Sequence, residues 1–299
     1  MKRVILLIAL LLTACRQEIT TGLEGPIPAP PTLESTPTEV VTATLPPATA
    51  VPTRTPTPVT FPPAQALPAG PVSMIAIGDS LTQGDGDDSG RGYPGRVLEQ
   101  VVQERPGSTM TNFAQSGWTS DALIHGDQGM FGQLERAAAE VDAALSQGRG
   151  AVVFIWIGSN DLWYLYEYGG VTAEQEEQDA ERFAANMDTI LIALRGKGAQ
   201  VIVALLDDQS KRPAALAGEA FTGITPGELA RMSSQVVRYN GVIQQKAEQY
   251  GALTVDFYNS DIFTNPATLS DDGNHPNQAG YDLIAQKWLE ALALLMPGG

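Results

Sequence analysis

Short apolar runs alternate with longer amphipathic stretches from Val72 onward. The runs are short and are bounded by glycine or polar residues, as strands are. They are apolar throughout rather than at every second position, which is typical of strands buried on both faces of a sheet. We therefore predict strands over the segments Val72–Ile77, Ser108–Ala114, Ala151–Ile157, Gln200–Leu206 and Ala252–Tyr258.

The stretches between these runs carry apolar residues three and four positions apart, which is the spacing of one buried helix face. Strands that alternate with helices form parallel sheets through right-handed crossovers. The pattern therefore predicts an α/β fold, a doubly wound sandwich of about five parallel strands. The predicted helices are Tyr93–Glu104, Gln128–Ser146, Thr172–Arg195, Pro226–Tyr250 and Asn277–Leu295.

The beginning of the chain lacks this alternation. Residues 1–14 combine a basic start with the apolar run Val4–Leu12, which is about half as long as a membrane-spanning helix. This combination is typical of a secretory signal peptide. The segment Leu12–Cys15 also resembles the lipobox of bacterial lipoproteins, which implies a lipid on the sulfur of Cys15. We therefore expect an exported, extracytoplasmic protein tethered to the membrane; the alternative is an ordinary signal peptide with an incidental cysteine.

Residues 15–70 are dominated by proline, threonine, alanine and valine, and no helical or strand period persists between the prolines. Such a segment buries too little apolar surface to offset the entropy lost on ordering. We predict a disordered linker that separates the folded domain, residues 71–299, from the membrane.

Charge and cysteine content exclude several classes of function. The formal net charge is −16, and lysine and arginine do not cluster, so the basic surface of a nucleic-acid-binding protein is absent. Cys15 is the single cysteine of the chain. An intramolecular disulfide, a cysteine-based zinc site and a thiol nucleophile in the domain are therefore excluded.

Glycine, serine, asparagine and histidine occur where four of the predicted strands end. These segments are Gly78–Leu81, Asn112–Ser120, Gly158–Asp161 and Asp271–Pro276, after the first, second, third and fifth strands. Ligands of doubly wound sheets bind at the carboxyl ends of the strands. We therefore expect the four segments to form one site.

Together, the four segments resemble the sequence blocks of the GDSL esterase/lipase superfamily, also called SGNH hydrolases. The resemblance extends over Val72 to Leu295, with the blocks in the order of the family. It implies a flavodoxin-like three-layer α/β/α sandwich. It also implies hydrolysis of carboxylic esters, including removal of acyl groups from carbohydrates, without a cofactor.

By resemblance, Ser80 is the nucleophile, His275 the general base and Asp272 the acid that orients it. The resemblance further implies an oxyanion hole formed by the backbone N–H groups of Ser80 and Gly117 and the side-chain amide of Asn160. The chemistry requires these residue types, because a serine hydroxyl needs an imidazole to take its proton. The imidazole in turn needs a carboxylate that fixes its tautomer, and the tetrahedral oxyanion needs preorganised neutral donors.

Three further residues compete for these roles. His125 is the other histidine of the chain, but it lies in a loop without a neighbouring motif. Asp271 is the alternative to Asp272 as the orienting acid. Asp79 is expected to stabilise the turn before Ser80 rather than to take part in the chemistry.

Two other segments carry candidate binding residues. Asp85–Gly90 imitates the first half of a calcium-binding EF-hand loop, but Arg96 occupies the position of the bidentate glutamate. We expect a solvated loop and no metal site, with calcium binding as the alternative. Trp163 and Tyr164 begin an aromatic cluster after the third block and are candidates for substrate binding. Packing against the sheet edge is an equally good explanation of this cluster.

The leading hypothesis is a membrane-tethered serine hydrolase that cleaves a small-molecule or carbohydrate ester through an acyl-enzyme. The acyl group is short, or is the acetyl group of an acetylated carbohydrate. One alternative is a carbohydrate-binding or adhesion module that keeps the fold without turnover, which the presence of every triad residue type disfavours. Another is an acyltransferase, which uses the same acyl-enzyme but excludes water.

Overall fold

The computed structural model describes residues 59–296. A five-stranded sheet lies at its centre, with the strand order β2-β1-β3-β4-β5 and every neighbouring pair parallel. This is the flavodoxin-like order, and the predicted α/β fold is confirmed. The strands are β1 (Val72–Gly78), β2 (Thr109–Asn112), β3 (Gly150–Trp156), β4 (Gln200–Leu205) and β5 (Leu253–Asp256).

Helices connect the strands. Five of them match the helices predicted from the sequence, and the rest are short segments that the periodicity does not resolve. The helices are α1 (Ser80–Gln83), α2 (Gly92–Glu104), α3 (Ser120–His125), α4 (Gln133–Ser146), α5 (Ser159–Tyr166), α6 (Ala173–Gly196), α7 (Pro213–Leu216), α8 (Pro226–Tyr250) and α9 (Gln278–Ala293). Two 3₁₀ turns, Gln209–Lys211 and Pro266–Thr268, complete the set in the described residues.

The core lies around the central strand β3, all of whose residues are buried. Trp156, its last residue, stacks on Phe257 with ring centroids 4.1 Å apart and also packs edge-on against Trp288 of α9. These aromatic rings pack beneath the carboxyl end of β3, so the loops that follow β1 and β3 rest on a close-packed base.

Helix α4 begins five residues later than predicted. The residues from Gly126 to Gly132 form a closed turn instead, in which Asp127 and Met130 make an antiparallel bridge. An ideal Cβ on Gly126 would lie 2.0 Å from the carbonyl oxygen of Met130, so the chain doubles back where a side chain could not fit. The glycines at both ends of this segment explain why the helix begins only at Gln133.

The end of the predicted linker is packed on the domain. We call residues 59–70 the strap. Leu67 is only 9% exposed, and its N–H donates to the carbonyl of Leu295 at 2.7 Å. The buried guanidinium of Arg195 donates to the carbonyl of Pro62 at 2.8 Å. The packed part of the chain therefore begins earlier than the predicted boundary at residue 70, because apolar residues of the strap reach the core.

The strap lies at the amino-terminal edge of the sheet. The N–H of Gln65 donates to the side chain of Gln200, the first residue of β4, at 2.9 Å. Side-chain atoms of Leu67 lie 3.0 Å from where a Cβ of Gly150, the first residue of β3, would stand. The predicted signal peptide, residues 1–14, the lipid attachment site Cys15 and the linker up to residue 58 lie outside the described residues.

Within residues 59–296, no helix combines the length and the apolar character needed to cross a bilayer.

Candidate active site

Ser80, His275 and Asp272 meet at the carboxyl end of the sheet. Nε2 of His275 lies 3.0 Å from Oγ of Ser80, and Nδ1 of His275 lies 2.6 Å from Oδ2 of Asp272. Ser80 follows β1, whereas the other two lie in the loop before α9, 195 positions later in the chain in the case of the histidine. The three side chains form a continuous hydrogen-bonded row in which a proton can pass from the hydroxyl to the imidazole.

The backbone before Ser80 is held on two sides. An ideal Cβ on Gly78 would lie 2.2 Å from the carbonyl oxygen of Trp156, so only glycine fits against the neighbouring strand. The buried side-chain amide of Gln133 accepts from the N–H of Gly78 at 2.7 Å and donates to its carbonyl at 2.8 Å. Asp79 then accepts from the N–H of Leu81 and caps α1. Ser80 is thereby fixed at the start of a short helix.

The loop that carries the histidine is organised by Asp272. Its Oδ1 accepts from the N–H groups of Asn274 and His275, at 2.8 and 2.9 Å, and from the hydroxyl of Ser270 at 2.8 Å. Burial alone would raise the pKa of Asp272, but the hydrogen bonds from His275, Asn274 and Ser270 lower it to about 2. The carboxylate therefore stays ionised at any pH at which an imidazole can act as a base.

A buried arginine, which sequence reasoning did not identify, supports this loop. Arg212 is 3% exposed and is bound bidentately by Asp207, at 2.7 and 2.8 Å. It also donates to the side-chain oxygen of Asn274 at 2.9 Å, next to the histidine. No motif marks Arg212 in the sequence, because an isolated arginine before a proline is normally a surface residue.

The proposed oxyanion donors point into the same pocket. Neither the N–H of Ser80 nor that of Gly117 has an acceptor among residues 59–296. Gly117 has a φ of +79°, a conformation that favours glycine, and an ideal Cβ would approach the hydroxyl of Tyr164 to 3.3 Å. Nδ2 of Asn160 donates to the carbonyl of Trp118 at 3.0 Å, and its second hydrogen is free to bind a ligand.

The buried carboxylate of Asp161 holds the loop of Gly117 in place through Ser120. Asp161 accepts from the N–H and the hydroxyl of Ser120, and Asn186 of α6 donates to that hydroxyl at 2.9 Å. Burial raises the pKa of Asp161 to about 6, although the two hydrogen bonds from Ser120 lower it. Since Asp161 follows Asn160 directly, this contact sets the distance between two of the proposed donors.

The aromatic cluster contains residues that border the site and a residue of the core. Trp163 lines the pocket of Ser80 and packs on Phe221 with ring centroids 4.5 Å apart. Tyr164 is half exposed, and its hydroxyl donates to the carbonyl of Gly117 at 3.1 Å. Tyr166, in contrast, is fully buried and donates to Glu176. The first two residues therefore border the site, whereas the third belongs to the core.

The pocket around Ser80 is small, with a volume of about 140 Å³. Its lining includes Asp79, whose Oδ2 has no hydrogen-bond partner in the described part of the chain. Burial raises the pKa of Asp79 to about 7, although the N–H of Leu81 and the nearby Arg212 lower it. Asp79, which was expected to stabilise a turn, caps α1 and carries an additional buried oxygen.

Most of the acidic loop is exposed, as expected for a solvated loop, but its central carboxylate is buried. Asp87 is 7% exposed and forms an ion pair with Arg96 at 2.5 Å, and it also accepts from Ser89 and from the N–H of Gly92. Arg96, at the position where an EF-hand has its glutamate, therefore neutralises the central carboxylate of the loop. In residues 59–296, no group of three or more acidic, histidine or cysteine side chains is arranged to hold a metal ion.

The competing residues lie outside the hydrogen-bonded row. His125 is exposed at the end of α3, and Asp271 is an exposed residue whose side chain makes no hydrogen bond within residues 59–296.

A family model for the GDSL-like lipase/acylhydrolase family matches residues 76–283. The chain is also 24% identical, over 231 residues, to an uncharacterized protein of Bacillus subtilis, YpmR, in a match that covers 74% of this chain and 81% of that protein. A multidomain esterase of Ruminococcus flavefaciens is 22% identical over 244 residues. That match covers 75% of this chain but 29% of the longer relative.

Solved structures share the fold. The enzyme LAE5, described as an alpha/beta hydrolase from the metagenome of Lake Arreo, superimposes with a TM-score of 0.51 at 21% identity, over 77% of this chain and 98% of that one. Axe2, an acetylxylan esterase of Geobacillus stearothermophilus, superimposes with a TM-score of 0.50 at 20% identity, over 77% of this chain and 99% of that one.

Proposed function

Because the chain belongs to the GDSL-like lipase/acylhydrolase family and is a carboxylic ester hydrolase, we propose that it cleaves short acyl esters with a serine–histidine–aspartate triad. Ser80 is the nucleophile, His275 the general base and Asp272 the residue that orients the imidazole. The observation that carries this proposal is the 3.0 Å contact between Oγ of Ser80 and Nε2 of His275.

The reaction follows from the positions of the atoms. Oγ of Ser80 attacks the ester carbonyl while its proton moves to Nε2 of His275. The oxyanion accepts hydrogen bonds from the N–H groups of Ser80 and Gly117 and from the side chain of Asn160. When the intermediate collapses, the alcohol leaves with the proton of the imidazole, and an acyl-enzyme remains. Water repeats the sequence, deprotonated by His275, and releases the carboxylic acid and the free serine.

The size of the pocket favours a small acyl group. A volume of about 140 Å³ accommodates an acetyl group beside the attacking serine, whereas a long chain would need an additional channel. The aromatic side chains of Trp163 and Tyr164 at the border suit the ring of a sugar alcohol. The relatives support this choice, since one is a multidomain esterase and a structure of the same fold is an acetylxylan esterase.

We further propose that the enzyme is exported and held at the membrane by a lipid on Cys15, as the sequence of the first 15 residues favours. Radiolabelled palmitate fed to the expressing cells should then label the full chain. A Cys15→Ala variant should remain unlabelled. Equal labelling of both would refute the lipid anchor without affecting the proposed reaction.

The triad is tested by substituting the nucleophile. Ser80→Ala should abolish hydrolysis of p-nitrophenyl acetate while the circular dichroism spectrum stays unchanged, because the hydroxyl makes few structural contacts. The pKa of Asp272, about 2, lies too low for protonation of this carboxylate to limit the rate at neutral pH. Unchanged turnover by Ser80→Ala would exclude this mechanism. Release of free acetate, rather than its transfer to an added sugar, distinguishes a hydrolase from an acyltransferase.

A further inference from the structure

A second and larger cavity lies on the other side of the loop that carries Gly117. It has a volume of about 320 Å³, and we call it the aromatic groove. Ser116 and Gly117 line the pocket of Ser80, whereas Gln115 and Trp118, their neighbours in sequence, line the groove. The wall between the two cavities is therefore a single turn of backbone. The groove is lined by residues that include Phe113, Gln115, Trp118, Met130, Phe131 and Arg136.

The groove is fixed relative to the nucleophile. The N–H of Gln115 donates to the carbonyl of Gly78, two residues before Ser80, at 3.2 Å. Gln133, which holds Gly78 through its amide, lies one helical turn from Arg136 on α4. The same backbone position thus anchors the serine, the dividing loop and the helix that carries the arginine.

Two apolar side chains of the groove, those of Met130 and Phe131, are exposed to solvent. Phe131 is 79% exposed and Met130 is 43% exposed. They belong to the turn between Gly126 and Gly132, which is closed by the bridge between Asp127 and Met130. An exposed phenylalanine on a closed turn offers an apolar ring to a ligand that enters the groove.

Arg136 has no carboxylate partner in the described residues. Its guanidinium lies over the ring of Phe113, 4.2 Å from the centroid, and makes no salt bridge or hydrogen bond with residues 59–296. Other arginines of this acidic domain, such as Arg96, Arg212 and Arg238, are paired with carboxylates. Stacking on an aromatic ring preorganises the planar fork of Arg136 for a carboxylate that arrives from outside.

We propose that the aromatic groove binds the alcohol part of the ester and that this part is a saccharide with a carboxylate-bearing sugar. The proposal rests on the proposed ester hydrolysis at Ser80 and names its substrate class. The acyl group occupies the small pocket, a sugar ring stacks on Phe131, and the carboxylate of an acidic sugar binds Arg136.

Charge limits the substrate further. The formal net charge of the chain is −16, so a polymer with a carboxylate on every residue would be repelled. A single arginine instead suits a largely neutral, acetylated polysaccharide with occasional uronic acid substituents. A long acyl chain fits less well, because the groove is open to solvent and its wall includes Gln115 and Arg136.

The test compares three substrates with two groove variants. The substrates are p-nitrophenyl acetate, acetylated xylo-oligosaccharides, and the same oligosaccharides with one glucuronic acid branch. Arg136→Gln should lower the ratio of kcat/KM between branched and unbranched oligosaccharides about tenfold, with Arg136→Lys in between, since lysine keeps the charge but not the fork. Phe131→Ala should lower kcat/KM for both oligosaccharides about tenfold relative to p-nitrophenyl acetate.

Matched controls lie elsewhere on the surface. Arg238→Gln removes a partly exposed arginine of α8, and Leu145→Ala truncates a partly exposed residue at the far end of α4. Both should leave all the ratios unchanged. If Arg136→Gln does not alter the branched-to-unbranched ratio, the carboxylate site is refuted. If Phe131→Ala does not alter the ratio of oligosaccharide to p-nitrophenyl acetate, the groove does not bind the sugar.

These outcomes are separate from failure of the proposed function, which would appear as full activity of Ser80→Ala on p-nitrophenyl acetate. In that case, calorimetry with the unacetylated branched oligosaccharide still tests the groove. Binding by the wild type that is weakened about tenfold by Arg136→Gln supports the site, and equal binding overturns it.

Discussion

The amide of Gln133 should position the nucleophile, and its replacement by methionine isolates that role. Methionine keeps the length of the side chain but removes the acceptor of the Gly78 N–H and a donor to the Gly78 carbonyl. The carbonyl retains the N–H of Gln115, so a single buried group, the N–H of Gly78, is left without a partner. We therefore expect Gln133→Met to lower the free energy of unfolding by about 1–3 kcal/mol.

The effect on catalysis should be larger than this loss of stability accounts for. Gly78 lies two residues before Ser80, and a displacement of the nucleophile by about 1 Å costs on the order of a hundredfold in rate. We expect kcat/KM for p-nitrophenyl acetate to fall by about that factor at a temperature where the variant is fully folded.

The chain offers a matched control. Asn240 holds Leu206, at the end of β4, by the same pair of amide hydrogen bonds, at 2.7 and 2.8 Å. Asn240→Leu leaves both backbone groups of Leu206 without their amide partner, so it should cost at least as much stability as Gln133→Met. It should nevertheless reduce kcat/KM far less, because Leu206 is not adjacent to the nucleophile. Urea titration and initial rates measure the two quantities separately. Equal catalytic losses in the two variants would refute the positioning role of Gln133.

Three further substitutions test other parts of the structure. Asp272→Asn should lower kcat by roughly a hundredfold or more, because the imidazole loses the carboxylate that stabilises its charged form, whereas Asp271→Asn should stay within about twofold in the same assay. Leu67 is 9% exposed, so Leu67→Ala should lower the free energy of unfolding by about 2–3 kcal/mol in urea titrations. The control Leu294→Ala, at a residue that is 69% exposed, should change it by less than about 0.5 kcal/mol. Equal effects of the two substitutions would mean that the strap is not part of the core. Burial raises the pKa of Asp79 from 3.8 to about 7, so the folded state retains a proton that the unfolded chain releases, and stability from this residue falls as pH rises from about 4 to 7. The free energy of unfolding of Asp79→Asn, relative to that of the wild type, should therefore increase as pH rises from about 4 to 7. A difference between the two proteins that does not vary with pH would contradict the raised pKa of Asp79.

The central strands were predictable almost to the residue, and the edge strands were not. The sequence predicts Ala151–Ile157, and β3 lies at Gly150–Trp156. The predicted second strand, Ser108–Ala114, is shortened to Thr109–Asn112. Both β2 and β5 lie at edges of the sheet and have a single neighbouring strand, so their pairing ends as soon as that neighbour diverges. Apolar composition indicates burial, but it does not indicate how far a neighbour extends.

The candidate site residues could be found in the sequence because they lie in segments that resemble the blocks of the family and that follow parallel strands. The residues after parallel strands emerge at one edge of the sheet, so Ser80 and Asn160 had to be near each other if β1 and β3 were neighbours. The residues that hold them could not be found in this way. Gln133 binds a backbone group 55 positions away, and Arg212 reaches Asn274 across 62 positions. Within a sequence, such polar side chains look the same as those of a solvated helix or loop.

The sequence of the strap contains evidence of packing, but its proline-rich composition favours the prediction of a disordered linker. Prolines dominate its surroundings, yet Phe61 and Leu67 are large apolar residues of the kind that a disordered linker lacks. Leu67 and Gln65 contact the amino-terminal edge of the sheet, where β3 and β4 begin. The strands are parallel, so their amino and carboxyl ends lie at opposite edges. The strap therefore packs at the edge of the sheet opposite to Ser80, which follows the carboxyl end of β1.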